Sequence, residues 1–222
     1  MAFNVQSSGL VTTGTTTADL FVLASGAVKG STIESLAGAD TILASDGAST
    51  ATALYIDVAG DKDVVTLSGG SYTASTVKLG AGADLFTGTV TAFDGSTLNA
   101  GDGDDTVNFV SGTFTTSTLA LGGGADKLDI AGGNIVTSFI GGGAGSDTMT
   151  IAASGAMGSA QILGGGGDDE ITVSGIVSGA GLMINGDSSV DGGGADTITF
   201  TQALTASTIK GKGGKSGGGS GG

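Results

Sequence analysis

The stretch "LGGGADKLDI", Leu121 to Ile130, sets three glycines and an alanine before Asp126, then a short alternating run. "AGDGDDTVNF" repeats the arrangement 21 residues upstream around Asp105, and "LGAGADLFTG" does so another 21 upstream around Asp84. "GGAGSDTMTI" places Asp147 21 residues downstream. The series extends through Asp19, Asp40, Asp63, Asp169 and Asp196, with successive steps of 21, 23, 21, 21, 21, 21, 22 and 27. A fixed period in the twenties marks a stacked repeat, in which no single unit can bury its own apolar face.

With each aspartate set as position zero, position +2 is always apolar: Phe21, Ile42, Val65, Phe86, Val107, Leu128, Met149, Ile171 and Ile198. Position +4 is apolar too, except for Gly88, while +3 is mostly Thr, Asn or Asp. This alternation is that of a strand with one buried face. A second apolar column lies at −7, from Ile33 to Ile162, and serine precedes it in Ser31, Ser75, Ser96, Ser117 and Ser138. A weaker column at +9 holds Val28, Tyr72, Phe93, Phe114 and Ile135. No segment has a helical period. The pattern predicts an all-β parallel β-solenoid of about nine coils of 21 residues over residues 1–210. Each coil has two strands, a glycine turn, and a looser bend that holds a short third strand. Residues 1–13 are a candidate N-terminal cap. "TQALTASTIKG" reads as the start of another coil, and 211–222, "GKGGKSGGGSGG", as a flexible Gly/Ser/Lys tail. Two insertions, in "STATALYIDVAGDKDVV" and in "MINGDSSVDGGGADTITF" with Asp187 and Asp191, should bulge from one edge.

Composition narrows function. The chain has 46 glycines in 222 residues but no proline, so it is not collagen, and its apolar residues are too regularly placed for disorder. It contains neither His nor Cys, which removes most nucleophile–base pairs and most zinc or iron sites. A net charge of −14, with lysine as its sole basic residue type, argues against nucleic-acid or anionic-membrane partners. No stretch is long enough to insert into a membrane, and no basic n-region precedes the apolar run near the start, so no cleavable signal peptide is expected. The neighbouring acid pairs Asp168–Asp169 and Asp104–Asp105 do not flank a sugar bond as a glycosidase pair would. The reading is not an enzyme.

Stacking places the aspartates in one column, one strand spacing apart. Two carboxylates about 4.8 Å apart repel by about 0.9 kcal/mol in water and about 3.5 kcal/mol at an effective dielectric of 20. A divalent cation between turns reverses that sign, and calcium takes carboxylate and carbonyl oxygens of the kind these turns offer. The alternative is that each aspartate caps its own turn by accepting backbone N–H groups.

The loops resemble the RTX nonapeptide, G-G-x-G-x-D-x-U-x, with U a large apolar residue. "GGAGSDTMT" (Gly142 to Thr150) and "GGGGDDEIT" (Gly164 to Thr172) match in full. "DGGGADTIT", "LGGGADKLD", "AGDGDDTVN" and "LGAGADLFT" match at all but the first glycine, and the copies around Asp19, Asp40 and Asp63 are poorer. The resemblance implies a secreted β-roll that binds Ca2+ through Asp84, Asp105, Asp126, Asp147, Asp169 and Asp196. Asp102 and Asp168 add side-chain oxygens among the glycines. This chain differs in having a 21-residue coil and the motif on one edge only.

The functional expectation is a calcium-binding structural scaffold of an extracellular surface: surface-layer, matrix or adhesin-like, and self-associating as a homo-oligomer or larger assembly. Type I export, which relatives with this motif use, would bring it to the cell surface. A phage virion part, fibre or capsid decoration, is the alternative. A second alternative is ice binding through outward threonines such as Thr148, Thr150, Thr197 and Thr199.

Overall fold

In the computed structural model, which describes residues 1–5, 9–23, 29–44, 50–174, 180–187, 193–202 and 207–210, each alternating run forms a strand that pairs with its equivalent one repeat away. The runs after the aspartates build one parallel sheet, whose main path holds ten strands from Ala2–Val5 to Thr197–Phe200. The runs before the glycine turns build a second, also of ten strands, from Val11–Thr13 to Ser207–Lys210. The chain is thus an all-β, parallel β-solenoid, and no helix occurs among the described residues. Residues 1–13 supply the outermost strand of each sheet, and Ser207–Lys210 pairs with Leu182–Asn185 as a further rung. The tail 211–222, Val28 and Asp191 lie outside the described residues.

Register explains the columns. Phe86 pairs with Val107, Val107 with Leu128, Leu128 with Met149 and Met149 with Ile171, so each +2 side chain lands on the next. The −7 column does the same in the facing sheet, from Ile33 through Ile184. Both columns are fully buried up to Ile171 and Ile184. A third, shorter side is formed by Thr50–Thr52, Ser71–Thr73, the end of Leu85–Asp94, Phe114–Thr115 and Ile135–Val136. It turns Ala51, Tyr72, Phe93, Phe114 and Ile135 into the same core.

The one gap in the +4 column has a packing cause. A Cβ at Gly88 would stand 2.6 Å from the Phe109 ring, which tilts against Phe86 at 4.9 Å and meets Phe114 edge-on at 4.8 Å. Gly88 therefore makes room for an aromatic cluster that spans two coils.

Two corners hold the sheets together. At one, the serine column forms a ladder: the Ser75 N–H donates to Ser96 Oγ at 3.0 Å, and the Ser117 N–H to Ser138 Oγ at 3.1 Å. The hydroxyls donate in turn to carbonyls of the third side, Ser96 to Tyr72 at 3.1 Å and Ser138 to Phe114 at 3.2 Å. At the other corner lie the glycine turns. Gly101 has φ of 107°, and a Cβ there would overlap the carbonyl oxygen of Gly80 one coil back. The glycines are needed for the close approach of successive turns as well as for their left-handed backbone.

Two substitutions test this packing. Gly101→Ala is expected to lose about 3 kcal/mol or more, because the added methyl meets backbone that cannot yield. Tyr72 carries a hydroxyl that is buried with no hydrogen-bond partner, in a column where Ala51 and Phe93 flank it. Tyr72→Phe is therefore expected to gain about 1 kcal/mol. Denaturant unfolding of both variants measures these changes.

Candidate metal centre

The nine aspartates stand at the end of the glycine turns, where the second sheet hands the chain to the first. Each reaches to the coil before it. The Asp19 N–H donates to Asp40 Oδ1 at 2.7 Å, Asp40 to Asp63 at 2.6 Å and Asp63 to Asp84 at 2.7 Å. Asp84 donates to Asp105, and Asp105 to Asp126, both at 2.8 Å. Asp126 donates to Asp147, and Asp147 to Asp169, both at 2.9 Å. The last bond, Asp169 to Asp196, is 3.1 Å. The carboxylate satisfies a backbone donor as the capping alternative expects, but the donor belongs to the neighbouring turn. Asp40 and Asp63, whose motifs are poor, join the ladder as fully as the others, while Asp19 donates into it and turns its own carboxylate to the N-terminal ammonium and the Thr15 N–H.

The second oxygen is different. Oδ2 of Asp40, Asp63, Asp84, Asp105, Asp126, Asp147 and Asp169 is buried without a hydrogen-bond partner. Burial pushes the Asp63 carboxyl up to about 8, Asp105 and Asp147 to about 7, and Asp169 to about 6. The donated N–H opposes this rise in each case, and neighbouring rim carboxylates add to it. Asp40, Asp84, Asp126 and Asp196 are raised by burial as well. An asparagine would accept the same N–H bond without this charge, yet none of the nine positions is Asn.

Whether the rim fits calcium depends on position −5, which lies beside Oδ2. At Gly142 a Cβ would overlap both Asp147 Oδ2 and the carbonyl oxygen of Gly164 in the next coil. At Gly164 a Cβ would overlap Asp169 Oδ2 and the Gly186 carbonyl oxygen. Carboxylate and carbonyl oxygens from successive turns thus crowd a space that only glycine leaves open, and this donor set suits a hard cation. In the coils of Asp63, Asp84, Asp105 and Asp126 the same position carries Val58, Leu79, Ala100 and Leu121, all fully buried. A buried apolar side chain stands there in place of glycine, so those turns lack the backbone space found at Gly142 and Gly164. The first glycine of the nonapeptide is what separates the two groups.

Asp102 and Asp168 lie on the exposed outer side of the turns. Asp168 Oδ1 accepts the Ala195 N–H at 2.7 Å, and Asp104 Oδ1 accepts the Ala125 N–H at 2.8 Å. Among the described residues no three acidic side chains converge on one point. The threonines of the second alternative lie on the outer face of the first sheet, where Thr150 pairs with Thr172 and Thr172 with Thr199. Glu170 stands between Thr148 and Thr197 and breaks the neighbouring row.

No family model matches the chain, and neither a curated protein nor a solved structure matches it.

Two measurements test the ladder. A raised carboxylate pKa means that the folded state holds its proton more tightly than the unfolded chain, whose value is near 3.8. This contribution to stability is full below about pH 4 and is lost as pH rises through about 6 to 8. In chelator, the melting temperature is expected to fall across that window, as thermal unfolding at stepped pH will show. Asp105→Ala, which orphans the Asp84 N–H, is expected to cost about 2 kcal/mol, whereas Asp105→Asn keeps the acceptor and should be at least as stable as the parent at pH 8.

Proposed function

We propose that this chain is a non-enzymatic structural rod: a calcium-dependent scaffold of an extracellular surface or comparable assembly, joined to further copies of itself. The observation that carries this reading is the row of buried, unpartnered carboxylate oxygens along a rim built only of aspartate. Such a row has a cost when it is charged and unaccompanied, and a hard cation offsets it. Calcium would bind at the turns of Asp147 and Asp169, where glycine leaves room and where the two nonapeptides match in full. Asp63, Asp84, Asp105 and Asp126 act as latches between coils.

Self-association is supported by the sheet edges. Among the described residues, Ala2–Val5 and Thr197–Phe200 each pair on one side only, and an unpaired strand edge is a template for another chain. Export to the cell surface accords with the nonapeptide resemblance and with calcium at millimolar levels outside cells.

Millimolar calcium is expected to raise the melting temperature and to yield elongated ordered assemblies by electron microscopy, with chelator reversing both. A chain that melts identically with and without calcium, and stays monomeric in sedimentation under both conditions, would remove the proposal.

A further inference from the structure

We infer that Asp187 and Asp196 together form a distinct divalent-cation site at the base of the last insertion, off the line of the rim ladder. Asp187 ends the strand Leu182–Asp187 and is in register with Gly165. That register position is glycine in the preceding coils, at Gly101, Gly122, Gly143 and Gly165, so a charge stands where only close-packed backbone stood before. Its side chain belongs to no nonapeptide.

The carboxylate is 5% exposed, and both of its oxygens lack a hydrogen-bond partner. Every ladder aspartate from Asp40 onward, by contrast, has Oδ1 bonded to a backbone N–H. The backbone closes around Asp187 through Gly193, where a Cβ would overlap both oxygens. A Cβ at Gly186 would likewise overlap Asp196 Oδ2. Two glycines therefore hold main chain against two carboxylates.

Among the described side chains, the charges that act on the pair are all acidic. Asp187 and Asp168 act directly on Asp196, and Asp187, Asp168 and Asp196 act on Asp169. The ion pairs among the described residues, Met1 with Asp19 and Lys78 with Asp57, lie elsewhere. One shared proton would satisfy one oxygen of the pair and leave Asp187 with an unmet acceptor. A divalent hard cation meets several oxygens at once, from Asp187, from Asp196 Oδ2, and from carbonyls and water. The Asp196 bond to the ladder is its longest, at 3.1 Å, which leaves this carboxylate the least committed to the rim. The inference draws on the proposed calcium dependence only for the identity of the ion.

Calorimetric titration of the full chain with calcium tests the site, using Asp187→Asn, Asp187→Ser and, for the rim, Asp147→Asn, with circular dichroism verifying the fold of each. Both Asp187 variants are expected to bind one calcium fewer than the parent. In chelator, Asp187→Asn should melt higher than the parent, because an unneutralised buried charge is gone; in calcium it should melt lower. Unchanged stoichiometry and unchanged melting in both conditions would overturn the inference. A site lost in Asp147→Asn but not in the Asp187 variants overturns the inference and keeps the rim proposal. A site lost in the Asp187 variants alone upholds the inference and counts against the rim.

Discussion

The hydrogen bond from each rim N–H to the carboxylate of the next turn is the constraint on which the architecture depends. Sheet pairing alone specifies register only where a buried face penalises a slip. The glycine turns have no such face. There the aspartate does the work: it occupies one fixed position per coil and accepts the donor that the sharp turn would otherwise leave buried and unmet. The serine ladder does the same at the opposite corner with a neutral group. The two corners differ in charge, and this difference is what makes one rim a candidate site and the other a seam.

Much of this was legible in the sequence because a repeat writes each rule many times. The 21-residue period, the alternation at +2 and +4 and the −7 column each have a direct counterpart in strand, register and core. Residues whose role depends on a neighbouring coil were harder to read. Gly88 looked like a lapse in the +4 column, and only the Phe109 ring above it gives the reason. The serine column was visible, but its partners are backbone groups a full turn away. Asp63 fell short of the nonapeptide and still holds its place in the ladder, since the N–H bond requires the aspartate and not the glycines before it. Position in the series was the better guide there. Asp187 was visible only as part of an insertion, because register alone reveals that it replaces a rim glycine.

The missing first glycine in most nonapeptides also becomes intelligible. Where Val58, Leu79 or Leu121 fills position −5, the coil gains apolar contact, and burying such a side chain contributes about 1.5–3 kcal/mol. Where Gly142 and Gly164 stand, that contact is forgone and oxygen atoms converge instead. Central coils are thus built to cohere without help, and in the proposed function those of Asp147 and Asp169 cohere with an added ion. Because coils touch only their neighbours, the two regimes can coexist in one rod.

The amide donors of both corner ladders point the same way: the Asp19 N–H toward Asp40 and the Ser75 N–H toward Ser96, from a coil to the one after it. A cut at these corners leaves amide donors facing one way and carboxylate or hydroxyl acceptors the other, while the parallel sheets between them present both N–H and C=O groups on each surface. At the corners these unlike groups complement each other and not themselves. A copy that continued both ladders across a shared end would stack head to tail, the arrangement that generates closed rings or open-ended fibres.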